Sequence, residues 1–168
     1  MQPSEALSTS AQVAVTLAGF AGVVVAFRSG SVHEWSKLDR FRLRILLFNS
    51  AMPFAMSIVG LLLATTNLDT IIIWRLCSLS SFVLMVLLSQ SMVRGFGDFS
   101  REEFNLSGGR TVLFYGASLF GVGATLLQLA NFIWLKTFWA FFTAIAVFLL
   151  LAMAQFILLV FAAPGHRA

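Results

Sequence analysis

The chain has 168 residues, 59% of them hydrophobic and 11% charged, with a mean hydropathy of +0.91. A soluble domain carries roughly 25% charged residues, so this composition excludes one and indicates a single transmembrane domain over residues 1–168. The net charge of +4 does not indicate nucleic acid, because the Lys and Arg residues flank apolar runs instead of gathering on a basic patch.

The opening MQPSEALSTSAQ has no basic region of the kind that begins a secretory signal peptide, so a cleaved signal is not expected. The first apolar span runs over about 11–27, short for a bilayer unless it extends back to Leu7. Within it Ala14, Ala18, Gly22 and Ala26 recur every four residues. Lipid tails are as apolar as leucine, so helices in a bilayer associate through close backbone approach, which small residues allow. The stripe is therefore expected to pack the first helix inside its own bundle. The second reading is a seam between copies in a homo-oligomer.

The inside loop 28–42 is basic. Its His33 and Glu34, with the distant His166, are too few and too scattered for a metal site. Ser36 and Asp39 have capping-box spacing, which predicts that the second helix starts ahead of its apolar span, 43–65. Lys37, Arg40, Arg42 and Arg44 are expected to meet anionic lipid headgroups, at about 1 kcal/mol per residue near the surface. Pro53 removes the N–H that would bond the carbonyl of Asn49 and predicts a kink. That kink is a candidate hinge, although prolines also occur in membrane helices without such a role.

The third span, 70–93, holds the one cysteine, Cys77, so neither a disulfide framework nor a paired-cysteine metal site is possible. Arg75 lies about one and a half turns into this span, and Arg75, Ser78, Ser81 and Ser89 fall within an arc of about 120° on the helical wheel. Gln12 and Thr16 of the first span, with Thr125, Gln128 and Asn131 of the fourth, would complete an outward-opening pocket for a small anion or a lipid headgroup. The plainer reading has Arg75 snorkelling to the headgroups beside Trp74, while the other polar side chains bond one another across helices at about 0.6 kcal/mol each.

In the inside loop 94–110, FSREEFNLSGG repeats the capping-box signal at Ser100 and Glu103 and stops at Gly108 and Gly109. A short interfacial helix and a linker fit it equally. The apolar block from Thr111 to Ala163 would make about 80 Å of continuous helix, so a tight turn near Lys136 is expected to divide it into spans 111–134 and 137–163. A four-span alternative leaves the fourth segment re-entrant. Small pairs recur at Ala117 and Gly121 and at Ala140 and Ala144. Phe138, Trp139, Phe141, Phe142 and Phe148 predict a peripheral, lipid-facing fifth helix, with Trp134 and Trp139 at the outer aromatic belt and Trp35 near the inner interface.

Five spans place Arg28, Lys37, Arg40, Arg42, Arg44, Arg94, Arg101, Arg110 and Arg167 on one side, nine of the eleven basic residues. The positive-inside rule then sets the N-terminus outside and the C-terminus inside. The expected fold is an all-α transmembrane bundle. No Asp, Glu, Lys or His falls in mid-span, so a proton relay of the kind that drives many transporters is not expected. Catalytic motifs such as GxSxG and HExxH are absent, and neither catalysis, a cofactor nor a metal is expected.

The segment AQVAVTLAGFAGVVVAFR, followed by Trp35 and RLRILL, resembles the N-terminal part of uncharacterised small bacterial multi-pass inner-membrane proteins. The likeness covers about the first 50 residues and implies a bacterial inner-membrane location, with no activity and no site residues. The expected function is that of a non-catalytic subunit or scaffold acting through helix and lipid contacts, with a membrane-protein partner or a second copy. A small channel or transporter built around Arg75 is the alternative.

Overall fold

The computed structural model describes residues 2–27, 35, 37–96 and 110–160, without the side chains of 38, 39, 91–96, 110–115 and 117. All regular structure among them is helical. In order come α1 (Pro3–Phe27), α2 (Lys37–Ala64), α3 (Thr70–Phe96), α4 (Arg110–Ala130), a π-helical turn that continues α4 (Asn131–Leu135), and α5 (Phe138–Val160). Five segments are long and apolar enough to cross a membrane: Pro3–Phe27, Arg40–Ala64, Thr70–Gln90, Ser118–Leu135 and Phe138–Val160.

Local chemistry sets the helix ends. Pro3 occupies the first helical position, where its missing N–H leaves no bond unmade. Glu5 Oε2 accepts the Gln2 N–H at 3.2 Å, one half of a capping box. These two residues start α1 well ahead of the hydropathy boundary at residue 11. At the end of α2 the Thr65 and Thr66 hydroxyls donate to the carbonyls of Leu62 and Leu63, at 2.7 and 2.6 Å, groups that a helix terminus otherwise leaves unpaired. The Asp69 carbonyl then accepts the Ile73 N–H and opens α3. Residues 37–42 are already helical, the early start that the Ser36–Asp39 spacing predicts. Ser36, His33, Glu34, His166 and the segment 99–109, read as either a short helix or a linker, lie outside the described residues.

Successive helices alternate in direction. At the turn end, where residues 65–69 and Lys136 lie, a Cβ on Gly60 would stand 2.8 Å from Leu7 Cδ1 and 3.4 Å from Phe141 Cε1. Here α1, α2 and α5 meet closely enough to require glycine. Met52, Met56, Trp74, Cys77 and Ile145 extend the core from there. At the far end Leu17 and Ala21 pack with Leu46, Ala152 and Leu159. Trp35 is buried in that second cluster.

Two expectations are corrected by this packing. The buried face of α1 is Leu7, Ser10, Ala14, Leu17 and Ala21, with Ala6 and Ala11 beside it. Its spacing alternates three and four, which keeps a seam facing its partner. A four-residue stripe drifts by about 40° at each step, so Ala14 is buried, Ala18 half-buried, and Gly22 and Ala26 exposed. The second correction concerns α5. It touches α1, α2, α3 and α4, so it is the central helix and not a peripheral one. Ala140, Ala144 and Ala152 lie on its buried face and let neighbours approach, and Phe141 is fully buried with them. Only part of its aromatic bulk faces out: Trp139 is exposed, while Phe138 packs at a tilt against Trp74, with ring centroids 4.9 Å apart. α2 continues through Pro53, itself fully buried, without leaving the helix.

Gly60→Leu is expected to destabilise the protein in detergent by about 1–3 kcal/mol, because the added side chain must displace buried Leu7 and Phe141. Gly22→Leu meets open space and should stay within about 0.5 kcal/mol of the parent. Thermal unfolding of the two variants side by side checks the assignment of the packed face.

Candidate functional site

The polar side chains of α3 and α4 meet in a ladder between two antiparallel helices. Ser78 and Asn131 form one rung, with Asn131 Nδ2 donating to Ser78 Oγ at 2.6 Å. Two turns further along, the Thr125 hydroxyl lies 3.6 Å from Met85 Sδ. That register brings Ser81 and Gln128 level with each other between the two rungs. All four of Ser78, Ser81, Gln128 and Asn131 are buried.

Asn131 is the centre of the group. It opens the π-helical turn, and its carbonyl accepts the Lys136 N–H at 2.9 Å. Lys136 adopts φ 53° and ψ 39°, the left-handed region, which costs a non-glycine residue about 1 kcal/mol. The chain reverses there. Asn131 Oδ1 accepts the Thr137 N–H at 2.9 Å, and Nδ2 donates to the Thr137 carbonyl at 3.1 Å. The Thr137 hydroxyl also reaches Oδ1, at 3.4 Å. An amide side chain has two donors and two acceptor positions, and with Ser78 included all four of Asn131's are engaged. One turn before it, Gln128 Nε2 donates to the Ala140 carbonyl of α5 at 2.9 Å. The small side chain at Ala140 allows that approach.

Three buried oxygens stand apart from this network. Ser57 Oγ, Ser81 Oγ and Gln128 Oε1 have no hydrogen-bond partner among the described residues. Leaving such a group unpaired costs about 1–3 kcal/mol.

The structure does not bring the residues of the expected pocket together. Arg75 is exposed, with its Cζ 4.9 Å from the Phe132 ring centroid. The buried arc of α3 runs from Ile73 through Ser81 to Ser78, and Arg75 lies about 60° beyond its Ser78 edge. Gln12 is exposed on α1, which packs mainly on α2 and α5, and Thr16 bonds its own helix at the Gln12 carbonyl. Ser78, Ser81, Gln128 and Asn131 therefore form an interior group, while Arg75 and Gln12 face outward from different helices.

The basic cluster also divides. Lys37, Arg40 and Arg44 are exposed, and Arg44 Cζ lies 5.4 Å from the Phe48 ring. Arg42 is buried, which separates it from the exposed three. Two residues on from Arg40 is a rotation of about 200°, so Arg42 turns into the bundle where Arg40 and Arg44 turn away. No three His, Cys, Asp or Glu side chains gather among the described residues.

Thr137 and the Ala140 carbonyl escape a reading of the sequence by residue type, since one contributes mainly backbone and the other only backbone. The available signal is an asparagine six residues ahead of a threonine across a turn that must reverse the chain. Comparison with protein-family models, curated proteins and solved structures gives no match.

Asn131→Ala should lower stability by about 1–3 kcal/mol, since it leaves Thr137 and Ser78 without their partner. Ser78→Ala should cost less, about 0.6 kcal/mol, the average for a polar contact between membrane helices. Ser81→Ala removes an unpaired buried hydroxyl and should be neutral or stabilising. Thermal unfolding of the three variants in one detergent gives the order.

Proposed function

We propose that this protein is an integral membrane subunit or scaffold without catalysis, acting through helix and lipid contacts. The observation that carries the reading is the arrangement of interior polar groups. Asn131, Ser78 and Thr137 bond one another, and Gln128 reaches the Ala140 backbone. A transport path would need polar groups left facing a continuous lining, and the one cation in the first turns of α3 points out of the bundle. The outward position of Arg75 favours the scaffold reading over a channel built around it.

In this reading the five apolar helices cross a bacterial inner membrane. The turn end, with exposed Trp134 and Trp139, lies outside, and the end carrying Lys37, Arg40 and Arg44 lies inside, by the positive-inside rule. Exposed Val13, Val15, Phe20, Leu119, Phe120 and Val122 clothe α1 and α4 in the apolar surface that lipid or a partner helix would cover.

Single cysteines at Thr66 and at Arg40, placed in a Cys77→Ala background, test the threading. An impermeant maleimide added to intact cells should label position 66 and reach position 40 only after permeabilisation. Labelling of both from the same side would overturn the five-span arrangement. Native mass spectrometry of protein extracted gently from its own membrane tests the role. A stoichiometric second polypeptide is expected, whereas a pure homo-oligomer conducting ions in vesicles would contradict the scaffold reading.

A further inference from the structure

Arg75 is a charge that the fold sets over an aromatic ring, with no ion-pair partner among the described residues. It sits five residues after the start of α3, about 7 Å along the helix axis, in a segment apolar enough to cross a membrane. A guanidinium at that depth is costly unless it meets an anion or the headgroup region. The carboxylates described at the turn end are Glu5, bonded to the Gln2 N–H, and exposed Asp69, and no ion pair joins either of them to Arg75. Its guanidinium lies over the Phe132 ring, at the start of the π-helical turn, with the ring centroid 4.9 Å from Cζ.

The position of that ring follows from the junction described above. Asn131 is tied to Ser78 on one side and to Thr137 on the other, so the next residue, Phe132, is held beside α3. A ring beneath a guanidinium attracts it through the π-face and leaves its N–H edges available. Those edges form a planar fork that matches two oxygens of a phosphate. The surroundings select the source of that phosphate. Ile71, Ile72, Leu79 and Ile133 are exposed around Arg75 on α3 and the π-helical turn, a surface that suits acyl chains.

We propose that Arg75, held over the Phe132 ring at the turn end of the α3–α4 pair, binds the phosphate of an anionic phospholipid. The site rests on the membrane-spanning reading. It is distinct from the basic residues Lys37, Arg40 and Arg44 at the far end, and its charge is oriented by the same asparagine that closes the α4–α5 turn.

The test uses the full chain in detergent, titrated with phosphatidylglycerol and followed by native mass spectrometry. Arg75→Gln, at an exposed position, should retain the parent's unfolding temperature and lose one bound phosphatidylglycerol, with binding to that site weakened about tenfold. Phe132→Leu, which keeps the charge but frees it, should weaken binding about two- to fivefold. Arg75→Lys should recover only part of the loss, because an ammonium lacks the fork. Arg40→Gln/Arg44→Gln should leave the Arg75-dependent lipid bound. Equal retention by the parent and Arg75→Gln would overturn the site. Arg75-dependent binding of inorganic phosphate without phosphatidylglycerol would overturn the lipid assignment. Flotation with plain phosphatidylcholine vesicles separates the two readings: a protein that fails to float contradicts membrane insertion itself, whereas one that floats with lipid retention indifferent to Arg75 contradicts only the site.

Discussion

One side chain carries the connection between the two halves of the bundle. Asn131 fills all four of its hydrogen-bonding positions, one with Ser78 of α3 and three with Thr137 beyond the turn. Without it the chain would have to reverse at Lys136, in an unfavourable left-handed conformation, with the Thr137 N–H and carbonyl relying on water or on no partner. Backbone groups shielded from water need internal partners. The asparagine supplies them and attaches the turn to α3 at the same time.

The consequences run outward from that junction. Fixing Asn131 fixes Phe132, which meets Arg75. It also sets the register along α4, so that Gln128 faces the Ala140 carbonyl and Thr125 faces Met85. α5 leaves the turn already joined to α4, and its alanines bring α1 and α2 against it. The packing at Gly60, where Leu7 and Phe141 converge, completes the same end of the bundle from the opposite side. A polar contact and a steric one thus hold two different helix groups to the central helix.

Much of the helix layout was legible in the sequence because it depends on length and apolarity alone. Five apolar segments and a break at Lys136 need no tertiary information. The start of α1 at Pro3 was less so, since its signal is the cap formed by Gln2 and Glu5 and not hydropathy. Packing faces proved harder. In water, burial follows hydrophobicity, but a chain this apolar has no polar face to mark the outside. The four-residue stripe in α1 therefore looked like a seam, although the true face follows Leu7, Ala14 and Ala21 with Ser10 and Leu17 between. The aromatic run in α5 suggested the periphery for the same reason. At the candidate site, residue types pointed to Ser78, Ser81, Gln128 and Asn131, which do share an interior. Arg75 sits about 60° past the edge of that face, a margin too small for a helical wheel to resolve without knowing where the neighbouring helices lie. The partners contributed by backbone, Thr137 and Ala140, leave almost no trace in composition.

The account turns on whether Asn131 holds the Thr137 backbone, and site-resolved amide hydrogen exchange in lipid nanodiscs measures that directly. The Thr137 amide should be protected in the parent protein and exchange much faster in Asn131→Ala, while amides of the α1–α2 contact such as Ala14 and Met56 keep their protection. Fast exchange at Thr137 in the parent, or protection there that survives the loss of the asparagine, would contradict the junction on which the arrangement of α3, α4 and α5 has been argued.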